Sequence, residues 1–458
     1  MVKKTKIVCT LGPASFSRQV IEKMLHAGMN GVRVNTAYGE LNQYESTIET
    51  VREIADVAVM VDIKGPEIRI KAKKPKTVVK GEVFEVGFNG EDLCFNHDLY
   101  DEMAVGDLVL IDNGKIRAHV AEKSGRKICL KAVTGGIIED GKGVNIPNKP
   151  LSVPTLCERD MEILRLCKKL DVEYVALSFT RNAKDVENLL AAHRFEGGVI
   201  AKIENSEGVQ NAEQILEVAT GIMVARGDMG VEIEPEKVPL VQKSLIKMCN
   251  QKGKLVITAT EMLESMIHNP CPTRAEVSDV ANAILDGSDA VMLSGETAVG
   301  EYPVESVKMM TRIANETEKV VKSNVEDTAY VNISDTISKA IQRISQSMAV
   351  HKVVTLTRSG YTARMITRFR IAQPVIAVTP DLKVKRQLEL IFGVEPVQIS
   401  YLEEKDRITH VANRLCDLGL LNEKETVLFT SGVRTKMKHA SNSIEIHKIE
   451  ELKQFYSP

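Results

Sequence analysis

Three features of the 458-residue sequence predict an α/β protein built on a (β/α)8 barrel, with a small β domain inserted after the third strand and a C-terminal α/β domain. Eight short β-branched runs alternate with longer helical patterns. The alternation breaks once, after Asp62. A second, shorter alternation follows residue 325.

The barrel runs are 6–10, 31–34, 58–62, 173–177, 199–203, 221–225, 255–259 and 289–293. Alternating βα units imply a parallel sheet, and eight of them fit a closed TIM barrel. After the first run, the helical pattern Arg18–Ala27 ends at Gly28, which can take the left-handed conformation of a helix C-terminus. After the third, Asp62 leads through Gly65-Pro66-Glu67-Ile68-Arg69 into a different texture. There 78–79, 83–86, 108–111, 116–120 and 127–130 read as short strands between Gly-Asp, Asn-Gly and Gly-Gly turns. An insertion at a βα loop lies over the active face of a barrel and can act as a lid. Ahead of the eighth run, Thr273-Arg274-Ala275-Glu276 is a capping box for a helix with Val277, Val280, Ala281, Ile284 and Leu285 on one face, stopped near Gly287. The final unit has strands at 352–355, 375–378, 395–398, 426–429 and 444–447. The expected division is therefore barrel 1–70 and 150–325, lid 71–149 and C-terminal domain 326–458.

Composition excludes several function classes. The hydrophobic fraction is 43% and the charged fraction 27%, ordinary globular values. A net charge of −2 supplies no general field for nucleic acid or anionic membrane, so any anion site must be local. Trp is absent and aromatics make up 4%, which argues against stacking platforms for single strands. No apolar stretch approaches the roughly 18 residues of a membrane span, and Met1-Val2-Lys3-Lys4-Thr5-Lys6 lacks the apolar core of a secretory signal. A cytoplasmic protein with no nucleic-acid or membrane partner is expected. The eight cysteines form no C-x-x-C pair and are expected to be reduced, buried thiols.

Barrel chemistry sits at the C-terminal ends of the strands. In order, those ends carry Arg33 and Asn35; Asp62 and Lys64, with Arg69 following; Ser178; Lys202 and Glu204; Arg226 and Asp228; Thr260 and Glu261; Ser294 and Glu296. Strand alternation points Lys202 and Glu204 to the same side. Glu204 and Asp228 come from adjacent strands and could share one divalent cation. Oxygen ligands alone suit Mg²⁺ or Mn²⁺. Arg33, Arg69 and Lys202 could clamp a phosphoryl group, and metal plus cations is the equipment of phosphoryl transfer. Gly227-Asp228-Met229-Gly230 reads as a loop whose amides can approach an anion. A Lys–Glu or Arg–Asp pair at a strand end is more often a salt bridge that closes a barrel. The weight lies in seven such ends on one face.

At these residues the chain resembles the pyruvate kinase family along nearly its whole length. The segments are AKIENSEGV at 201–209, VARGDMGVEI at 224–233 and TATEMLESMIHNPCPTRAEVSDVANAILDGSDAVMLSGETAVGEYP at 258–303, with KTKIVCTLGPAS and DIKGPEIR in agreement. The resemblance implies phosphoryl transfer from phosphoenolpyruvate to ADP in glycolysis. It implies that Lys202 stabilises the phosphoryl group in flight and the enolate, and that Glu204 and Asp228 hold the divalent metal. Amides of Gly227 and Asp228, with the Thr260 hydroxyl, would hold the carboxylate, and Arg33 and Ser178 the phosphate. Pro13, Asn35 and Arg69 would line the nucleotide side, and Asn35 and Asp62 would contribute to a monovalent-cation site. A homotetramer and a phosphorylated small-molecule effector are likewise implied.

The chain departs from the family around the nucleotide and potassium. Where the family reads Asn-Phe-Ser-His, this chain has Asn35-Thr36-Ala37-Tyr38, so no hydroxyl stands at position 37. Ile63 replaces a threonine, leaving its backbone carbonyl as the candidate K⁺ ligand. Glu67 is the residue type of K⁺-dependent members, so the potassium signals conflict. Arg159 stands where a lysine facing ADP is common, with the charge kept and the geometry changed. In the last domain, Thr357, Arg358, Ser359, Gly360 and Thr362 resemble the effector loop, whose hydroxyls and amides suit a phosphate. A well-capped helix without a ligand is the alternative, and the basic segment 434–439 could add to such a site or be solvated. Two other readings compete for the whole chain. A metal-dependent lyase or aldolase acting on a pyruvate enolate would not need ADP, and a catalytically dead metabolite sensor would bind without turnover.

Overall fold

The computed structural model describes residues 3–88, 90–323, 325, 332–401, 406–432 and 441–454. Eight parallel strands close into a barrel: Lys6–Leu11, Gly31–Asn35, Ala58–Ile63, Tyr174–Leu177, Gly198–Ile203, Gly221–Ala225, Leu255–Ala259 and Ala290–Leu293. Each predicted run lies on one of these strands. They are legible because a parallel strand buried on both faces is an almost continuous apolar run. The expected helix ends also hold. Gly28 has φ 116°, and Thr273 and Glu276 form the reciprocal cap of Arg274–Leu285.

Strand alternation divides the barrel core into two layers. Ile7, Cys9, Val59, Val61, Val175 and Leu177 face the outer helices. Val8, Met60, Ala176, Ile200, Met223, Ile257 and Met292 fill the interior. The interior core continues into the C-terminal unit through Ala363, Ala377, Leu388 and Leu390. Tyr174 donates its hydroxyl to Gln387 O at 2.8 Å, and Arg370 pairs with Asp289 at 2.8 Å. The C-terminal unit thus seals the N-terminal end of the barrel and leaves the opposite end for chemistry.

The inserted segment has its own apolar core, including Phe84, Phe95, Leu99, Ile111 and Leu130. Its main sheet has five strands in the order Val144–Asn145, Leu108–Ile111, Ile116–Ser124, Lys127–Ala132 and Val83–Val86. Two small pairs accompany it, Ile70–Ala72 with Leu93–Phe95 and Lys76–Val78 with Gly136–Ile138. Four of these strands, Ile70–Ala72, Leu93–Phe95, Gly136–Ile138 and Val144–Asn145, give no sequence signal because two or three residues are too few to show a period. The run expected at 78–79 lies earlier, at Lys76–Val78, and Val79 is exposed.

The C-terminal sheet has the order Val394–Gln398, Val375–Thr379, Lys352–Leu356, Thr426–Ser431 and Ser443–Lys448, with the last strand antiparallel. Two further readings change. Gly227–Gly230 lies within the short helix Arg226–Glu232 rather than in a loop, anchored by fully buried Met229. Of the cysteines, Cys9, Cys94, Cys167 and Cys249 are buried, whereas Cys157 and Cys271 are exposed, all as free thiols. Among the described residues no helix is long and apolar enough to cross a membrane.

Candidate active site

The interior face of the barrel turns from apolar to charged within one residue pair at its C-terminal end. Continuing each strand by two from Val8, Met60, Ala176 and Ile200 gives Thr10, Asp62, Ser178 and Lys202, and Lys202 is followed on the same face by Glu204. These side chains and Arg33 form one buried network. Arg33 grips Asp62 through Nε at 2.8 Å and Nη2 at 2.7 Å, and donates to Thr10 Oγ1 at 3.0 Å. Lys202 Nζ donates to Ser178 Oγ at 2.7 Å and lies 3.2 Å from Asp62 Oδ2 and 2.9 Å from Glu204 Oε1. Ser178 Oγ donates to Asp62 Oδ1 at 3.0 Å.

Charge pairing inside this layer sets the protonation states. Burial pushes the Asp62 carboxyl up, but Lys202 and Arg33 outweigh it and hold the group below the usual carboxylate range. Burial disfavours the Lys202 ammonium, and Asp62 and Glu204 more than compensate, so its pKa lies above the ordinary lysine value. Glu204 faces one cation, Lys202, which it shares with Asp62. Burial, then Asp228 and Asp62 acting against Lys202, pushes its carboxyl up to about 7.

That imbalance is the test of a metal site. The layer with Asp228 holds three carboxylates against two fixed cations. Glu204 Oε2 accepts the Phe179 amide at 2.6 Å, while the buried Oε1 has only the Lys202 ammonium, 2.9 Å away and shared with Asp62. A divalent cation supplies the missing charge, so the residues fit one. No group of three or more potential His, Cys, Asp or Glu ligands occurs among the described residues. Two carboxylates leave the remaining positions to water or substrate, as Mg²⁺ commonly requires.

On the neighbouring strand ends, Thr260 and Glu261 are successive left-handed residues, with φ 68° and 54°. Such a conformation costs about 1–2 kcal/mol per non-glycine residue. It is held by Arg226, which donates to Thr260 O at 2.8 Å and pairs with Asp279 rather than with Asp228. Thr260 Oγ1 accepts the Gly227 amide at 2.8 Å. Glu296 is occupied by the amides of Leu263 and Ser294, at 2.9 and 2.7 Å, and acts as a structural cap.

Of the predicted nucleotide and potassium residues, Asp62 has its side chain inside the network, and the others make contacts of their own. Arg69 is held by Glu67 at 2.8 Å and by the lid carbonyl of Gly141. Arg159 reaches Glu162 at 3.3 Å and Gly39 O at 3.2 Å. Pro13 is exposed on the loop after the first strand. Asn35 Oδ1 accepts the Ala37 amide at 3.1 Å, and Ile63 O accepts the Ser178 amide at 3.2 Å. In the C-terminal unit, Thr357 Oγ1 accepts the Gly360 amide at 2.9 Å and Thr362 Oγ1 meets Ser441 Oγ at 2.7 Å. Arg358 is exposed and Ser359 half-buried there. The basic segment 434–439 lies outside the described residues.

Three participants escaped the sequence reading. Thr10 was available from the parity of the first strand. The Phe179 amide was not, since a backbone donor in a left-handed residue (φ 51°) has no side-chain signature. Arg181 sits beyond the strand end.

Family profiles for the pyruvate kinase barrel domain and the pyruvate kinase alpha/beta domain match residues 2–307 and 335–447. The chain belongs to the pyruvate kinase family. It is 40% identical to the pyruvate kinase of Geobacillus stearothermophilus, over 99% of this chain and 81% of that relative. Those of Staphylococcus epidermidis and Staphylococcus aureus (strain MRSA252) are 39% and 40% identical, each over 98% of this chain and 81% of the relative. The chain is accordingly a phosphotransferase, forming pyruvate from phosphoenolpyruvate in glycolysis, in a family that generally depends on a divalent metal ion and K⁺.

Proposed function

We propose that transfer of the phosphoryl group from phosphoenolpyruvate to ADP takes place on the charged layer capping the barrel interior, with Lys202 facing the group in flight. The observation that carries this reading is the buried chain Arg33–Asp62–Lys202–Glu204.

Arg33 and Ser178 bind the substrate phosphate. Thr260 Oγ1 and the amides of Gly227 and Asp228 bind the carboxylate, and the 2.8 Å bond between Gly227 and Thr260 already brings two of these groups together. Lys202 is charged at neutral pH and acts electrostatically, on charge that develops as the P–O bond breaks and the enolate forms. A divalent cation, Mg²⁺ or Mn²⁺, held by Glu204 and Asp228 would supply Lewis-acid neutralisation of the phosphoryl and enolate oxygens. The lid, residues 71–149, excludes water so that the nucleotide and not solvent receives the phosphoryl group. The enolate then takes a proton and becomes pyruvate.

Pro13, Asn35, Arg69 and Arg159 form the nucleotide side; Arg69, clamped between Glu67 and a lid carbonyl, spans the gap that ADP enters. Asn35, Asp62 and the Ile63 carbonyl form the monovalent-cation site. Thr357, Arg358, Ser359, Gly360 and Thr362 anchor the phosphate of a small-molecule effector, with Arg358 the exposed cation of that turn. A cytoplasmic homotetramer completes the reading.

A lactate-dehydrogenase-coupled assay with phosphoenolpyruvate and ADP, with and without K⁺ and across sugar phosphates and nucleotides, tests it. ADP-dependent pyruvate formation is expected. Pyruvate formation that ignores ADP would overturn the nucleotide half.

A further inference from the structure

Both chain segments that join the lid to the barrel converge on one barrel loop, residues 178–182, after the fourth strand. On the way out, Gly65 is left-handed (φ 60°) and passes so close to this loop that an added Cβ would meet Ser178 O at 2.4 Å. On the way back, Leu151 O and Val153 O accept from Arg181 Nη1 and Nη2 at 2.8 and 2.9 Å. Arg181 is fixed in turn by Asp185, whose carboxylate accepts from its Nε at 3.0 Å, its Nη2 at 2.7 Å and its amide at 3.0 Å. Thr155 Oγ1, at the end of the returning segment, donates to the same carboxylate at 2.6 Å.

The returning segment therefore belongs to two bodies. Its side chains Leu151 and Val153 pack on the lid core, while its carbonyls are held by a barrel guanidinium. Pro150 and Pro154 restrict its backbone, so it transmits displacement rather than absorbing it. The same loop carries Ser178, which orients Lys202 and Asp62, and Phe179, whose amide orients Glu204. Arg181 and its Asp185 partner are nearly buried, at 13% and 3% side-chain exposure, which makes the forked contact strong and geometrically specific.

We infer that Arg181 is a positioning residue that couples the lid to the orientation of Lys202 and Glu204. It sets the loop through which lid position reaches both. The inference rests on the proposed roles of Lys202 and Glu204.

The test compares full-length Arg181→Met, Arg181→Lys and Thr155→Val with the unaltered chain, by steady-state kinetics, Mn²⁺ titration and thermal melting. Misplacing the loop should lower kcat about tenfold to a hundredfold in Arg181→Met and weaken Mn²⁺ binding several-fold, with a thermal midpoint shifted by a few degrees at most. Arg181→Lys, which keeps the charge but lacks the fork, should be intermediate. Thr155→Val should move both readouts in the same direction by less. Unchanged kcat and Mn²⁺ affinity in Arg181→Met would overturn the inference. If that variant does not fold, Thr155→Val decides on the same two readouts. Lys202→Met run in parallel separates the two levels. An active Lys202→Met removes the proposed function, whereas an inactive Lys202→Met beside an unaffected Arg181→Met removes only the coupling.

Discussion

The Lys202 ammonium lies 2.9 Å from Glu204 Oε1, two residues further along the chain and just past the strand's end, and both side chains are buried. Lys202 also serves Asp62, so one cation is shared by two carboxylates. Replacing it with Met removes the charge that faces the transferring group and leaves the carboxylates opposed. Lys202→Met is expected to lower kcat on the order of 10³-fold, the scale of losing one preorganised electrostatic contact or more. Phosphoenolpyruvate binding should persist through Arg33 and the Thr260 side. The coupled assay and a binding titration check this, and turnover near that of the unaltered enzyme would remove Lys202 from the mechanism.

Glu204 makes metal binding pH-dependent near neutrality. Its carboxyl is pushed up to about 7, so below that pH a divalent cation must displace a proton. Apparent Mn²⁺ affinity of the substrate-free protein should fall as pH drops below about 7, approaching tenfold per unit, and level off above it. The folding sign runs the other way from a salt-bridged carboxylate. The unfolded group titrates near 4.5 and the folded one near 7, so the ionised group opposes folding. That cost is absent below 4.5 and complete above about 7. Glu204→Gln should remove both effects; metal titrations and melts in chelator from pH 5 to 8 read them separately.

A control lies on the outer helix layer. Thr273 Oγ1 accepts the Glu276 amide at 3.2 Å, and Glu276 Oε2 accepts the Thr273 amide at 2.7 Å. Thr273→Ala removes half of this cap at an exposed position. It should cost about 1 kcal/mol of stability with kcat unchanged, measured by denaturant unfolding and the coupled assay. A large loss of turnover would mean that loosening this cap reaches the site, through Asp279 of the same helix and its partner Arg226.

The barrel was legible because its strands are buried on both faces, so that Ala58–Ile63 or Leu255–Ala259 leaves a dense apolar run in the sequence. Side-chain parity then placed Lys202 and Glu204 together without any tertiary information. Other features have no such trace. Val144–Asn145 is a strand only because Leu108–Ile111 pairs with it. The helix over Arg226–Glu232 contains two glycines, which weaken helices in isolation, and tertiary burial of Met229 overrides that preference. Arg181 was invisible as a coupling residue because its partners are carbonyls more than two dozen residues away.

The monovalent-cation site gives the last prediction. Position 37 is Ala, and its amide is taken by Asn35 Oδ1 at 3.1 Å, which turns that oxygen toward the loop. Asp62 is already shared by Arg33 and Lys202. Glu67 is paired with Arg69 at 2.8 Å, so its negative charge is locally neutralised. Few oxygen ligands are thus left for a monovalent ion, and hard cations need several. Turnover should depend on K⁺ less steeply than in relatives that carry serine at this position. Ala37→Ser restores a hydroxyl oxygen beside Asn35 and should raise the ratio of K⁺-supported to K⁺-free turnover several-fold, with little change in the absence of K⁺. The measurement is kcat against K⁺ concentration at constant ionic strength, using a tetraalkylammonium salt as the balance. An Ala37→Ser curve that superimposes on that of the unaltered enzyme would show that position 37 does not reach the ion.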